Sequence, residues 1–422
     1  MREYLSNKWK YFLGGFIILI IILFEAKGEG GDFNIFISAS RDLLLGKNIY
    51  KIQYNEWYHY YYDILFALIL VPFTYLPLFI AKLIWLISNV FFVYRIWKIL
   101  LNWLPISHLR KNNKILFITL SFIFIFSFLR DNFHLAQLTI FILFLINNEK
   151  KIAGSILIAL GINIKILPIV IIPYLIYRNQ WKSAFLVILF MIFFLVLPIV
   201  FIGFDYNQFL LIERWSLINP INQEHILDTS ERSFHSLTTL LATLFVKDCG
   251  DVHALTLKRN IADISIENLN IIINIVRSAI ILFTLYFLKT KPFRNTKDNL
   301  QKLYEISYLC LIIPLIFPHQ QFYAFFFIFP ASTYLLYYVL NVYFNGNNQI
   351  SAYFKSKKIA IVTLLSISYF LTNSHFILGA FNDFYDHYKT LTYGVLILMI
   401  LLAICKPDKL LIEKNTDLEQ IS

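Results

Sequence analysis

The chain has 422 residues, of which 58% are hydrophobic and only 15% are charged. This composition excludes an ordinary soluble fold and indicates a membrane protein. The formal net charge of +11 does not indicate nucleic-acid binding, because the Lys and Arg residues stand in short clusters between apolar runs. Anionic lipid headgroups and the positive-inside rule account for such clusters. The three cysteines lack the spacing of metal ligands, so no role is predicted for them.

The N-terminal segment begins with basic residues and continues with the apolar run YFLGGFIILIIILF, residues 11–24. This arrangement resembles a signal peptide, but EAKGEGG follows it where a small-x-small cleavage site would stand. We therefore expect a retained first transmembrane helix.

Apolar segments long enough to cross a membrane recur along the whole chain. They predict an all-α, polytopic protein with roughly a dozen transmembrane helices in one integral-membrane domain, residues 1–422. The segments lie at 11–24, 58–77, 78–98, 115–130, 132–147, 152–177, 182–203, 269–288, 301–317, 320–343, 359–378 and 390–405.

The basic connectors predict how this domain is oriented. Connectors such as HLRKNNK (108–114) and the tail 406–422 are typical of the cytoplasmic side. The first outer loop, 25–63, and a long outer loop, 204–268, then face the exterior. No internal repeat is evident in the sequence.

Two apolar segments are expected to be broken. Prolines 72 and 77 predict a hinge within 58–98, where one of the two helices spans the membrane only in part. The segment 152–177 fits the predicted orientation only if it turns near residues 163–168. Broken helices are tolerated at membrane depth where they line a protein-enclosed or watery cavity.

Asp32 stands at the start of the amphipathic stretch DFNIFISASRDLLL, directly after the glycines of EGG. One interpretation is a plain N-cap of a helix lying on the outer membrane face, since Asp is a preferred N-cap residue. The other is a functional carboxylate, because ionisable groups near the membrane are costly and mark functional sites.

The order of motifs along the chain resembles the GT-C superfamily of membrane glycosyltransferases. A carboxylate after the first helix, a surface helix, GKNIY (46–50, ending in Tyr50) and an aromatic-rich second span match the opening of such enzymes. NFHLAQLTIFILFL keeps Gln137 of a Gly-Gln-x-Asn element but has Ala136 and Thr139 in it.

Further motifs are similar to glycosyltransferase family 87. A Gly-rich helix running into a lysine and a proline is kept in AGSILIALGINIKILPIVIIPYLIYRNQW, which contains Lys165. FPHQQFY, with His319 and Gln320, partly matches a late Ser-Pro-x-Ser-Trp-x-His-His turn, and ERSFHSL, with Arg232 and His235, resembles an Asn-x-Ser element.

The resemblance implies a polyprenol-phosphate-mannose-dependent mannosyltransferase at the outer face of a bacterial cytoplasmic membrane. It implies a polyprenyl-phosphate sugar donor, a glycan or glycolipid acceptor, an inverted product and no metal cofactor. The other partners are membrane lipids, and no nucleic acid is expected. We expect Tyr50, Gln137, Gln320, Arg232 and His235 to contact substrate.

The chemistry assigns roles to the ionisable candidates. A hydroxyl is a weak nucleophile at neutral pH, so a base must take its proton as it attacks the sugar, and Asp32 is our candidate. The leaving group is a phosphate, for which cations supply charge-assisted hydrogen bonds. Lys165 is the first such cation, with snorkelling to headgroups as the alternative. His319 and Arg277 are further candidates for the phosphate.

These last two residues also have structural interpretations. A histidine at a helix end is often a hydrogen-bonding residue of the fold, and Arg277 could pair with a carboxylate inside the bundle. Arg214 lies in the long outer loop, and Asp63 stands at the start of a span, where a local role is equally open.

Two other classes of membrane protein fit parts of the sequence. A transporter or lipid flippase would have buried charge and broken helices, but also internal repeats. An O-antigen polymerase or ligase would gather the loop arginines, Arg214 and Arg232, with His235 and leave Asp32 alone. The glycosyltransferase interpretation instead requires Asp32, Lys165 and His319 to line one cavity.

Overall fold

The computed structural model describes residues 16, 18–28, 31–54, 58–146, 151–219, 234–247, 249, 255–287, 298–344 and 352–407. Over these residues the chain is helical and forms no strand, which confirms the all-α fold class. The α-helices are 18–27, Asp32–Leu44, Ile64–Leu70, Leu78–Trp103, Lys111–His134, Thr139–Ile146, Lys151–Ile164, Ile171–Tyr177, Trp181–Val196, Ile199–Ile202, Phe204–Ile218, Leu237–Phe245, Ile266–Phe287, Asn299–Ile316, Phe329–Val339, Ala352–Asn373, Asn382–His387 and Thr390–Ile404.

Fewer helices than expected have the length of a membrane span. In the described part of the chain, five helices are long and apolar enough to cross a membrane. A sixth span results if the pair Gly379–His387 and Thr390–Ile404, bent by 68°, counts as one. The predicted dozen crossings are therefore not confirmed. Several apolar segments form shorter helices instead, as Ile64–Tyr75, Ile152–Ile164 and Leu167–Tyr177 do.

Both predicted breaks are present. The Lys151–Ile164 helix ends before Lys165, and a 3₁₀ turn, Leu167–Val170, precedes the next helix. Pro168 explains the break, because proline lacks the N–H of a helix interior and restrains the residue before it. In the same way, a 3₁₀ turn at Val71–Tyr75 with Pro72 in its first turn ends the short Ile64–Leu70 helix.

The first outer loop contains the predicted surface helix, Asp32–Leu44. Its buried residues include Phe33, Phe36 and Leu43, at helical spacing on one face. The Phe36 ring packs edge-on against Phe66 of the Ile64–Leu70 helix, with centroids 5.4 Å apart. This contact packs the surface helix against the short helix that follows it along the chain.

The described part of 204–268, the region predicted to be a long outer loop, is mainly helical, and its position outside the membrane stays a prediction. The Phe204–Ile218 helix begins after Gly203, and Leu237–Phe245 and the start of Ile266–Phe287 follow. The Tyr206 hydroxyl donates to the Lys47 carbonyl at 2.6 Å. Lys51 and Glu213 form an ion pair at 3.2 Å. The Phe204–Ile218 helix therefore packs onto the first outer loop.

The chain forms two compact units, each made of three sequence segments. The first lies within Met1–Ile96, Arg130–Ile166 and Phe185–Asn219, and the second within Trp97–Leu129, Leu167–Ala184 and Pro220–Ser422. The single domain expected over 1–422 stays a prediction.

The core of the second unit contains buried tyrosines and one very close helix contact. The hydroxyls of Tyr304 and Tyr334 donate to backbone carbonyls near the end of the Thr390–Ile404 helix, at 2.9 and 2.6 Å. That helix approaches Ala352–Asn373 at Gly394, where a Cβ would lie 2.7 Å from Thr372. Small residues permit such contacts between apolar helices.

A buried ion pair also stabilises the second unit. Arg178 and Glu305 form a salt bridge, and the side chains of both are 1% exposed. Arg178 Nε donates to the Glu305 carboxylate at 2.8 Å, and the Tyr174 hydroxyl donates to it at 2.9 Å. The Glu305 carboxylate lies on the Asn299–Ile316 helix, and these hydrogen bonds join it to the end of the Ile171–Tyr177 helix.

We expect Glu305→Ala to lower the free energy of unfolding by about 3–5 kcal/mol, because it leaves a guanidinium buried without its carboxylate. The double variant Arg178→Met/Glu305→Leu, which removes both charges, should lose much less. Chemical unfolding of the purified protein in detergent measures both. A Glu305→Ala protein within about 1 kcal/mol of the native one, the range of an exposed ion pair, would contradict this expectation.

Candidate functional site

Asp32 is fixed at the start of its helix by a close backbone contact. Its N–H donates to the Leu135 carbonyl at 2.9 Å. Gly31 allows this approach, because a Cβ at that position would lie 2.8 Å from the same oxygen. The φ of Gly31 is +103°, which side chains other than glycine rarely adopt. The glycine before Asp32 therefore sets the position of the carboxylate.

Of the two interpretations of Asp32, the one that makes it the helix N-cap is wrong. Gly31 occupies the N-cap position, and Asp32 is the first residue of the helix. A carboxylate in the first turn still interacts favourably with the helix dipole. The Asp32 side chain is left in position to contact groups from other segments.

The turn at residues 135–137, which contacts Asp32, is also bound by two side chains of the Leu78–Trp103 helix. Trp85 Nε1 donates to the Ala136 carbonyl at 3.0 Å, and Asn89 Nδ2 donates to the Gln137 carbonyl at 3.3 Å. Ala136 has a φ of +49°, a conformation that favours glycine. The resembled motif has glycine at this point, which is the residue that this backbone conformation favours.

Gln137 contacts the candidate base directly. Its Nε2 donates a short hydrogen bond to Asp32 Oδ2. The Gln137 side chain is fully buried, and Oε1 has no hydrogen-bond partner among the residues that the structure describes. Since an ionised carboxylate only accepts hydrogen bonds, this orientation of the amide is the one that holds it. Gln137 therefore fixes the direction of the Asp32 carboxylate.

Lys165 belongs to the same site. It follows the last residue of the Lys151–Ile164 helix, and its N–H continues the helical pattern to the Gly161 carbonyl at 3.0 Å. A cation is favourable at the C-terminal end of a helix. The Lys165 ammonium has an attractive Coulombic interaction with the Asp32 carboxylate. Both side chains are half-buried, so each is partly accessible. The first unit thus brings together Asp32, Gln137 and Lys165.

The second unit brings together His319, Gln320 and His235. His319 has a φ of +55° in the bend after the Asn299–Ile316 helix, and its half-buried ring lies 5.0 Å from that of Phe234. The His235 N–H donates to the Gln320 carbonyl at 2.9 Å. A histidine in the left-handed region is uncommon and suits a site whose surroundings fix the backbone.

His235 is part of the core of this unit. It is fully buried, and its carbonyl accepts from Thr392 Oγ1 at 2.6 Å. Its Nε2 lies 3.3 Å from an oxygen of Asp386. Burial lowers the pKa of the imidazole, and the Asp386 carboxylate opposes that shift. The proposed substrate contact of His235 stays a prediction, and its observed contacts are with the fold.

The other predicted residues have individual positions. Arg277 Nη2 donates to Thr238 Oγ1 at 2.5 Å. Thr238 lies on the Leu237–Phe245 helix, which begins two residues after His235. Tyr50 is buried, with its hydroxyl donating to the Tyr62 carbonyl at 3.0 Å, which is a structural contact. Arg232 lies outside the described residues.

A salt bridge near the site was not predicted from the sequence. Asp63 and Arg214 form a buried salt bridge in the first unit. Each had been singled out, but 151 residues separate them. Asp63 is the N-cap of the Ile64–Leu70 helix, where its Oδ1 accepts from the Leu65 N–H at 2.8 Å, and an Asp before an apolar run is a local signal for this role. No local signal in a single sequence indicates the arginine that the carboxylate binds.

Among the described residues, no group of three His, Cys, Asp or Glu side chains is arranged to hold a metal ion. That the reaction needs no metal remains a prediction from the resemblance.

Part of the chain matches a known protein family. The model of glycosyltransferase family 87 matches residues 60–254, which include Gln137, Lys165, Asp63 and Arg214 but not Asp32. No curated protein and no solved structure matches the chain.

We expect Gly31→Ala to displace Asp32 from the 135–137 turn, because the added Cβ would meet the Leu135 carbonyl and the φ of +103° would be strained. The free energy of unfolding should fall by about 1–3 kcal/mol, as measured by chemical unfolding in detergent. Gly46→Ala is the control, since Gly46 also has a positive φ but open space around it. A loss no larger in Gly31→Ala than in the control would show that the close contact is unimportant.

Proposed function

We propose that this chain is a membrane glycosyltransferase that transfers a hexose from a polyprenyl-phosphate sugar, which its match to glycosyltransferase family 87 supports. The hexose is mannose in this proposal. The acceptor is a hydroxyl group of a cell-envelope glycan or glycolipid. The reaction takes place at the outer face of a bacterial cytoplasmic membrane.

The observation that carries the proposal is the group of Asp32, Gln137 and Lys165. A partly accessible carboxylate is oriented by a buried amide and interacts electrostatically with an ammonium group. Sugar transfer from a lipid phosphate requires a carboxylate to accept a proton and a cation to bind phosphate. The two groups come from segments that are far apart in sequence, so the fold places them together.

Asp32 is the base in this mechanism. As the acceptor oxygen attacks the anomeric carbon, the Asp32 carboxylate takes the hydroxyl proton. The bond from the anomeric carbon to the phosphate oxygen breaks, and its electron pair leaves with the polyprenyl phosphate. Attack from the side opposite the leaving group inverts the anomeric carbon. Gln137 binds the carboxylate but not the reacting atoms, so it is a positioning residue.

Lys165 binds the donor phosphate. The leaving phosphate carries additional negative charge in the transition state, and a fixed ammonium in a site shielded from water stabilises it. This interaction makes a general acid unnecessary, in contrast to glycosidases with two carboxylates. His319 and Arg277 stay predicted ligands of the donor, and Gln320, Arg232 and Tyr50 predicted contacts of the substrates. No metal enters the mechanism.

The alternative classes have less support. An O-antigen polymerase or ligase would collect the loop arginines and leave Asp32 alone, whereas Asp32 has Gln137 and Lys165 beside it and Arg214 is buried against Asp63. A transporter or flippase would not need a carboxylate held by an amide. The match to a glycosyltransferase family favours the enzyme over both.

We expect Asp32→Asn to lower transfer of labelled mannose from polyprenyl-phosphate mannose into membrane glycans by at least about 100-fold, the contribution of a general base. Asn keeps the size of the side chain and an oxygen that accepts from Gln137, so the protein should fold and insert. The measurement compares membranes that contain equal amounts of native and variant protein.

Asp42→Asn is the matched control for this experiment. Asp42 lies on the same helix, and its carboxylate binds Lys47 on the surface at 2.7 Å. Its transfer rate should remain that of the native protein. Equal transfer by Asp32→Asn and native protein would remove Asp32 as the base. If the native protein transfers another sugar and not mannose, and Asp32→Asn loses that transfer, Asp32 stays the base but the donor sugar is not mannose.

A further inference from the structure

The pair formed by Asp63 and Arg214 lies at the end of the helix that leads into Lys165. The side chain of Asp63 is 1% exposed and that of Arg214 is 9% exposed. Arg214 Nη1 contacts Asp63 Oδ2, while Asp63 Oδ1 accepts from the Leu65 N–H. Both carboxylate oxygens are thus used, and the guanidinium has a fixed position.

The second arm of the guanidinium binds the backbone of the broken helix. Arg214 Nη2 donates to the Asn163 carbonyl at 2.8 Å. Asn163 is in the last turn of the Lys151–Ile164 helix, where carbonyls have no partner within the helix. An arginine at this end satisfies such a carbonyl and complements the negative end of the helix dipole. Arg214 therefore caps the helix two residues before Lys165.

The capped residue is also held through its own side chain. Asn163 Nδ2 donates to the Ala159 carbonyl at 2.9 Å and to the Met191 carbonyl at 3.3 Å. Met191 lies on the Trp181–Val196 helix. Asn163, two residues before Lys165, is therefore held by Arg214 and by the Trp181–Val196 helix. Of these two contacts, the one with Arg214 involves a charged group.

The helix that carries Arg214 is itself fixed. Its first turn is bound through Tyr206 to the Lys47 carbonyl, and Glu213 pairs with Lys51. Lys47, Lys51 and Asp63 all belong to the segment that follows the surface helix of Asp32. Arg214 thus connects the segment that follows the Asp32 helix with the end of the helix that leads into Lys165.

From this geometry we infer that Arg214, held by Asp63, is a positioning residue that sets where the Lys165 ammonium stands relative to Asp32. The inference rests on the proposed function, in which Lys165 binds the donor phosphate. A displacement of about 1 Å in a group that binds the reacting part of a substrate can lower the rate about 100-fold. Losing the Arg214 contact should therefore weaken phosphate binding without removing any phosphate ligand.

The test is a double-mutant cycle on binding of polyprenyl phosphate, the sugar-free product, to the purified protein in detergent. Arg214→Lys keeps the charge beside Asp63 but lacks the fork that reaches Asp63 and Asn163 together. We expect Arg214→Lys and Lys165→Met each to weaken binding about tenfold or more, and the double variant to bind no more weakly than Lys165→Met. Such non-additivity is the sign of two residues that act as one unit.

Two further variants keep the result interpretable. Asp63→Asn/Arg214→Met leaves no unpaired buried charge, and Asn still caps the Ile64–Leu70 helix. This variant should fold and show the same weakened binding as Arg214→Lys. Gln208→Ala, at an exposed position of the same helix, should bind polyprenyl phosphate as the native protein does.

The outcomes separate the inference from the proposed function. If Lys165→Met weakens binding but the Arg214 variants do not, or if the losses add in the double variant, Arg214 does not position Lys165. If the Arg214 variants lower only the unfolding temperature, their role is stability alone, which also overturns the inference. If Lys165→Met leaves binding unchanged, Lys165 is not a phosphate ligand, and both the inference and that part of the proposed function are wrong.

Discussion

The hydrogen bond from the Asp32 N–H to the Leu135 carbonyl is the contact on which the rest of the site depends. It brings the start of the surface helix onto the 135–137 turn, so the side chain of Gln137 reaches the Asp32 carboxylate. Only a residue without a Cβ fits at position 31, and the turn keeps its unusual backbone because Trp85 and Asn89 bind its carbonyls. A backbone contact, and not a side-chain cap, therefore sets the position of the candidate base, and Gln137 then orients its carboxylate.

The charges buried in the two units serve as connections between distant segments. Arg178 and Glu305 connect two helices of the second unit, and Asp63 and Arg214 connect a helix start with a helix end in the first. In both cases the remaining hydrogen-bonding groups of the carboxylate are occupied, which offsets the desolvation of the ions. An apolar pair of similar volume could fill the same space, but it would not satisfy the Asn163 carbonyl that Arg214 binds.

Sequence reasoning was most successful where a local cause decides the structure. Pro168 breaks the helix and leaves Lys165 at its end, and the amphipathic pattern after Asp32 does form a helix. The interpretation of Asp32 as an N-cap was wrong, because the need for glycine at position 31 comes from Leu135, about a hundred residues later. The count of crossings was not confirmed, since hydropathy measures how apolar a segment is and not how long its helix runs. The partner of Asp63 lies 151 residues away and leaves no trace in the local pattern.

The same separation has a consequence for how the protein is made. A ribosome that adds about 5–20 residues per second needs roughly 8–30 s to extend the chain from Asp63 to Arg214. During that interval the carboxylate is already synthesised, while the guanidinium that neutralises it in the finished protein does not yet exist. The nascent chain must therefore keep Asp63 hydrated or protonated until the Phe204–Ile218 helix emerges. In this protein the contacts that join the first outer loop, the broken helix and the Phe204–Ile218 helix through Arg214 therefore form only after residue 214 has been made.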